Sequence, residues 1–312
     1  GNDLLMPGLT KQKNAILDAL NSGKISQETA NRNVKNILQL VFRSPSFTNY
    51  KYSNRPDSEE NANITRNAAT EGMILLKNDQ NTLPYINTSD NVALFGVTSY
   101  AWITGGTGSG SVNNKHTVSL LEGLDKAGYN LDDELVALYK PFAKKELAAE
   151  MEKRKAKGIL ALPGRLKEME FSDEVIQKKA ETNDIAFLTI GRNSGEGGDR
   201  AVDNDFNLAA DEVELIDKVS KAFHTKGKKV VIILNIGGVI ETASWKDKAD
   251  AILLAWQPGQ EGGHSVVDVL SGKANPSGKL TMTFPVKYSD ISSAKNFPGT
   301  PVEKVTDVTY EE

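Results

Sequence analysis

The 312-residue sequence predicts an α/β fold: an α/β sandwich whose mostly parallel sheet of about six strands is covered by helices on both faces. Three observations carry this expectation. Residues 92–96, 185–190, 230–236 and 251–256 are short, nearly continuous apolar runs, as in parallel strands buried on both sides. Between two of them, across residues 211–223, Val213, Ile216, Val219 and Phe223 fall on one helical stripe. Directly past the run at 185–190 comes Gly191-Arg192-Asn193-Ser194-Gly195-Glu196-Gly197-Gly198-Asp199-Arg200, a glycine-rich turn where an open α/β sheet binds its ligands.

In chain order, residues 16–20 and 34–41 read as helical. Val34, Ile37, Leu38 and Val41 sit at i, i+3, i+4 and i+7, and Ser26 is a suitable N-cap for a segment starting at Gln27. Residues 44–60 are polar and broken by Pro45 and Pro56, which reads as a linker. The α/β pattern runs over about residues 61–290, beginning with a helical stretch at 66–72 and a short strand at 73–78. Residues 129–184 alternate lysine with glutamate, as in Lys144-Lys145-Glu146. They read as an inserted helical segment with solvated faces, or as the wall of a substrate entrance. Residues 280–284 are expected to return as an edge strand.

Composition narrows the function. Lysine and arginine total 37 against 41 acids, a net charge of −4 without a dense basic tract, so no nucleic-acid partner is expected. The apolar run Val230-Val231-Ile232-Ile233-Leu234 is far short of the roughly 20 residues a membrane helix needs, so no membrane partner is expected either. Without cysteine there is no disulfide, thiolate catalysis or cysteine-held zinc. The histidines His116, His224 and His264 lack ligand spacing, and neither metal nor other cofactor is expected. No signal peptide is visible at the start, and the compartment is left open.

The chemistry-bearing candidate is Glu196. A carboxyl between glycines past a buried strand is open to substrate, and partial desolvation there would raise its pKa and let it hold a proton near neutrality. The same residues also read as an ordinary strand-to-helix turn with a solvated glutamate. The run Gly105-Gly106-Thr107-Gly108-Ser109-Gly110 has neither the P-loop nor the dinucleotide-binding spacing.

These motifs resemble glycoside hydrolase family 3. The Ser-Gly-Glu-Gly-x-Asp-Arg run resembles that family's acid/base loop. The opening Asn2-Asp3-Leu4-Leu5-Met6-Pro7-Gly8 resembles the segment closing its catalytic barrel. Leu75-Leu76-Lys77-Asn78 with Leu83-Pro84, Pro258-Gly259-Gln260-Glu261 and Asn275-Pro276-Ser277-Gly278-Lys279-Leu280 follow in the family's order. The resemblance implies a retaining β-glycosidase acting on terminal β-linked glucosides or xylosides, with an oligosaccharide or β-glycoside as substrate. It implies that Glu196 is the general acid/base, with Asn193, Ser194, Asp199 and Arg200 binding sugar or supporting the loop. Asp199 and Arg200 are expected to pair and pin it. The 105–110 loop is expected near the active-site mouth, or as a flexible turn. Residues 1–60 would be the tail of a preceding barrel domain plus linker, 61–290 the sandwich, and 291–312 a lead into a further domain. The family's nucleophile lies in a Ser/Thr-Asp-Trp motif that this sequence lacks, since Ser172-Asp173-Glu174 has no tryptophan. The nucleophile is therefore expected on the upstream barrel domain of the same enzyme, which is the expected protein partner. The alternative is a non-catalytic carbohydrate-binding or interaction module. Should Glu196 be only a loop residue, Glu212 is the next acid to consider.

Overall fold

In a computed structural model describing residues 2–157, 161–196 and 200–296, the apolar runs form one six-stranded sheet. Its strands are β1 (Ile74–Asn78), β2 (Asn91–Phe95), β3 (Asn130–Leu131), β4 (Ile185–Arg192), β5 (Lys229–Ile236) and β6 (Ala251–Leu254). Their order is β1-β6-β5-β4-β2-β3, parallel throughout except where β1 runs antiparallel to β6. The expected α/β sandwich with a mostly parallel sheet is what forms.

Side-chain alternation along each strand divides two apolar cores. Phe95, Leu188, Ile190, Ile232 and Leu234 point to one face and meet α5 (Asp133–Lys157), α6 (Asp173–Thr182) and α7 (Ala210–Thr225) through Tyr139, Ile176 and Phe223. Leu94, Phe187, Val231, Ile233 and Leu253 point the other way, onto α4 (Leu120–Lys126) and α8 (Gly262–Leu270) through Leu120, Leu124, Val266 and Leu270. All eight residues of β4 are buried, which is why its sequence shows no polar alternation. On α7 the predicted stripe holds at Ile216, Val219 and Phe223, which are fully buried, while Val213 is only half-buried. Within the charged 129–184 stretch, Leu135, Tyr139 and Ala143 anchor α5 to the core, and its exposed end carries pairs such as Lys155 to Glu152 at 2.6 Å.

One element differs from expectation. Residues 280–284 do not add an edge strand. A backbone bond from Gly278 N to Met73 O (3.0 Å) brings the chain to the start of β1, after which Leu280 and Met282 lie exposed. Pro276 and Pro285 bracket this stretch without a donor of their own, so no ladder can propagate through them.

The chain divides into two compact units, one ending at Pro56 and the other starting at Asp57. The first holds α1 (Thr10–Asn21) and α2 (Gln27–Arg43), with Ser26 capping α2 as its sequence predicts by accepting from Thr29 N. Neither helix contains a buried residue, and Ile16, Leu17, Val34, Leu38 and Val41 are exposed. The second opens with α3 (Ser58–Gly72), whose first amides are capped by the Asp57 side chain.

Candidate active site

β4 is a central strand, and past its carboxyl end the chain turns through Asn193, Ser194 and Gly195 to Glu196. Gly195 has φ +129°, and a Cβ there would fall 2.3 Å from Thr107 N, so only glycine allows the backbones to close on each other. The close approach laces the two glycine-rich loops together. Thr107 N donates to Ser194 O at 2.9 Å, and Thr107 Oγ1 donates to Glu196 O at 3.1 Å.

The Glu196 carboxylate lies on the 105–110 loop. Ser109 donates to its Oε2 from the backbone N–H at 2.5 Å and from the hydroxyl at 2.7 Å. Gly108 (φ +66°) leaves the room: a Cβ there would sit 2.3 Å from Oε2. Glu196 is exposed, and the Ser109 hydroxyl first and its amide second hold the carboxyl below the usual glutamate range. This corrects the expectation of a desolvated carboxyl with a raised pKa. The side chain is open to water, and the donors that do reach the carboxylate favour its charged form.

The other predicted residues divide between the loop and its flanks. Ser194 Oγ donates to Gln257 Oε1 at 3.0 Å, tying the loop to the segment after β6. There Trp256 takes φ +54°, an unusual conformation for a bulky residue, held by Asn235 Nδ2 donating to its carbonyl at 2.8 Å. Asn193 turns the opposite way, its Nδ2 donating to Gly164 O at 3.1 Å. Arg200 binds Asp205 Oδ1 from Nε (3.0 Å) and NH2 (2.7 Å), and donates to Val239 O at 2.9 Å. The expected pinning of the loop by Asp199 and Arg200 falls partly on Asp199, which lies outside the described residues; the Arg200 guanidinium is directed to Asp205. Glu212 is buried at the first turn of α7, where it takes the Arg192 guanidinium and the Ala209 N–H, so it is not open to substrate.

Sequence reasoning did not anticipate Ser109, Gln257 or Arg192. The 105–110 run draws attention as a loop, but what it faces is decided by which strands are neighbours. Nor did it anticipate Glu168, a buried acid accepting from Val97 N at the end of β2 (2.8 and 3.1 Å). A cleft of about 280 Å³ opens beside Asn193, Gly106 and Thr107, and Glu150, Arg154 and Arg165 of the charged 129–184 stretch form its far wall. Among the described residues no group of three or more His, Asp or Glu side chains is arranged to hold a metal ion. His116 and His264 both bond Glu261, and His224 bonds Asp250.

Residues 73–312 match the model of the glycosyl hydrolase family 3 C-terminal domain. The chain is 32% identical over 308 residues to thermostable β-glucosidase B of Acetivibrio thermocellus, covering 96% of the chain and 36% of that enzyme. It is 33% identical over 263 residues to β-glucosidase A of Butyrivibrio fibrisolvens, covering 77% and 30% respectively. Among solved structures, β-glucosidase 3B of Thermotoga neapolitana in complex with α-D-glucose superposes with a TM-score of 0.86 at 45% identity, over 96% of this chain and 42% of that one. The chain thus spans about a third of the length of these curated relatives and about two-fifths of the solved enzyme. A sheet of this order, laid over matched sequence from β1 onward, leaves one assignment: the chain belongs to glycosyl hydrolase family 3 and contains its C-terminal domain.

Proposed function

We propose that this chain is the part of a retaining β-glycosidase that supplies the general acid/base, Glu196, while an aspartate on a preceding barrel domain supplies the nucleophile. The observation that carries the reading is the position of Glu196. It is an exposed carboxylate on a glycine loop past the carboxyl end of a central parallel strand, in the family's Ser-Gly-Glu-Gly-x-Asp-Arg setting. The two curated relatives named above are β-glucosidases, and the matching β-glucosidase of Thermotoga neapolitana was solved with α-D-glucose.

In such an enzyme two carboxyl groups about 5–5.5 Å apart share the work. Protonated Glu196 gives its proton to the departing glycosidic oxygen as the nucleophile closes on the anomeric carbon. The resulting Glu196 carboxylate then takes a proton from water as that water releases the sugar from the glycosyl-enzyme. Terminal β-linked glucosides or xylosides are the proposed substrates. Ser194 and Asn193 are proposed to hold the loop, because their side chains already bond Gln257 and Gly164.

Glu196→Gln in the full-length enzyme tests the reading. Disaccharide hydrolysis is expected to fall by about 10²–10⁴-fold, aryl glycosides with good leaving groups to keep far more of their glycosylation rate, and azide to restore turnover as a glycosyl azide. A variant that cleaves the disaccharide at near-parental rate and ignores azide would leave the carbohydrate-binding module as the better reading.

A further inference from the structure

We propose that Ser109 is a positioning residue for Glu196: it captures the carboxylate on the 105–110 loop between turnovers, and release from it is the step that arms Glu196 as a proton donor. The inference rests on the acid/base reading of Glu196, yet part of its test does not.

The geometry is specific. Both donors of Ser109 converge on one oxygen, Oε2, at 2.5 and 2.7 Å. Gly108, in a left-handed conformation, removes the side chain that would otherwise stand in the place of that oxygen. The Thr107–Gly195 bridge fixes the two loops in register, so the capture is built into the backbone. Among the described residues no charged side chain bonds the Glu196 carboxylate. Of the described charged residues flanking Glu196 in the loop, Arg192 bonds Glu212 and Arg200 bonds Asp205. The carboxylate is therefore governed by two neutral donors on a neighbouring loop, a contact that a substrate oxygen can replace.

The chemical consequence follows from what an acid/base must do twice. A carboxylate that accepts two hydrogen bonds resists protonation, which keeps Glu196 in the ionised form the base half of the cycle starts from and opposes the acid half. To become a donor, Glu196 has to give up Ser109 and take a proton from solvent. Removing the Ser109 hydroxyl leaves only the amide and makes that proton easier to acquire. Ser109→Ala is thus expected to move the alkaline limb of kcat/KM, which reports the general acid, to higher pH. Ser109→Thr keeps a hydroxyl and should leave the limb near its parental place.

Two measurements separate this proposal from the acid/base reading. In the 312-residue chain, labelled with ¹³C at the glutamate side-chain carboxyl and assigned through Glu196→Gln, the Glu196 resonance should titrate at higher pH in Ser109→Ala than in the parent or in Ser109→Thr. Identical titration in all three would overturn the proposal, whatever Glu196 does in catalysis. In the full-length enzyme, the alkaline limb should shift in Ser109→Ala with thermal unfolding unchanged. An unmoved limb, in an enzyme whose Glu196→Gln variant is rescued by azide, would overturn the proposal while leaving the acid/base role standing. Titration at higher pH in Ser109→Ala with no azide rescue of Glu196→Gln would overturn the acid/base role and the arming step with it, and leave only the capture by Ser109 standing.

Discussion

Arg192 and Glu212 form a closed bidentate pair, with NH1 2.6 Å from Oε1 and NH2 2.7 Å from Oε2, and both side chains are about 2–3% exposed. The pair joins the last residue of β4 to the first turn of α7. The same guanidinium donates from Nε to Asp205 O at 2.7 Å, so it also supports the return of the Glu196 loop. A buried charge stripped of its bidentate partner is costly, because the acid that remains nearby, Asp205 with Oδ1 3.6 Å from Nε, makes a longer contact and is shared with Arg200. Glu212→Ala is expected to destabilise the chain by about 3–5 kcal/mol, measured by urea unfolding at neutral pH. A loss under about 1 kcal/mol would mean that water solvates Arg192 once the acid is gone.

Glu168 gives a stability prediction with a defined pH window. Burial pushes its carboxyl up to about 8, against the bond from Val97 N, with Glu212 and Asp211 raising it further and Arg165 lowering it. Across the range from ordinary glutamate titration to about 8, the folded chain holds a proton that the unfolded chain has released. Stability therefore declines through that window as pH rises and levels off above it. Glu168→Gln keeps an acceptor for Val97 N–H and removes the titration. Its stability relative to the parent should improve steadily between about pH 5 and pH 8.5 in paired urea curves. A constant difference across that range would show that Glu168 is not the group responsible.

Gly195→Ala should unlace the two loops. The new methyl meets Thr107 N and the position has φ +129°, so the strain is expected to cost about 1–3 kcal/mol or to push the loops apart. The direct readout is amide exchange at Thr107, whose N–H loses its bond to Ser194 O and should exchange much faster. Parental protection at Thr107 would show that the loops tolerate the methyl by other means.

The 312-residue chain by itself is expected to show no turnover of an aryl β-glucoside. Glycosylation needs a nucleophile positioned by the enzyme, and such positioning is worth effective molarities on the order of 10⁵–10⁸ M that a free carboxylate in buffer does not reproduce. Steady release of the aryl group by purified chain, abolished by Glu196→Gln, would place the nucleophile within these residues.

By itself the sequence determined which segments become buried strands and helices, because burial on both faces demands unbroken apolar runs and a helix covering a sheet demands a stripe. Residues 185–190 and 230–236 were legible for the first reason, and Ile216, Val219 and Phe223 for the second. Residues 280–284 misled, since short apolar alternation does not say whether a neighbour's edge is in reach. The loop carrying Glu196 was legible from its glycines and from its motif. Its electrostatic state was not, because that depends on Ser109, 87 residues away in the chain. The placement of β2 beside β4 brings the loops that follow them to one end of the sheet, and the glycines at 108 and 195 let those loops close. Tertiary structure likewise decided that Glu212 is an internal partner of Arg192 and Glu168 a buried acid. In the sequence all three glutamates are alike, and only their distance from water and from donors separates them.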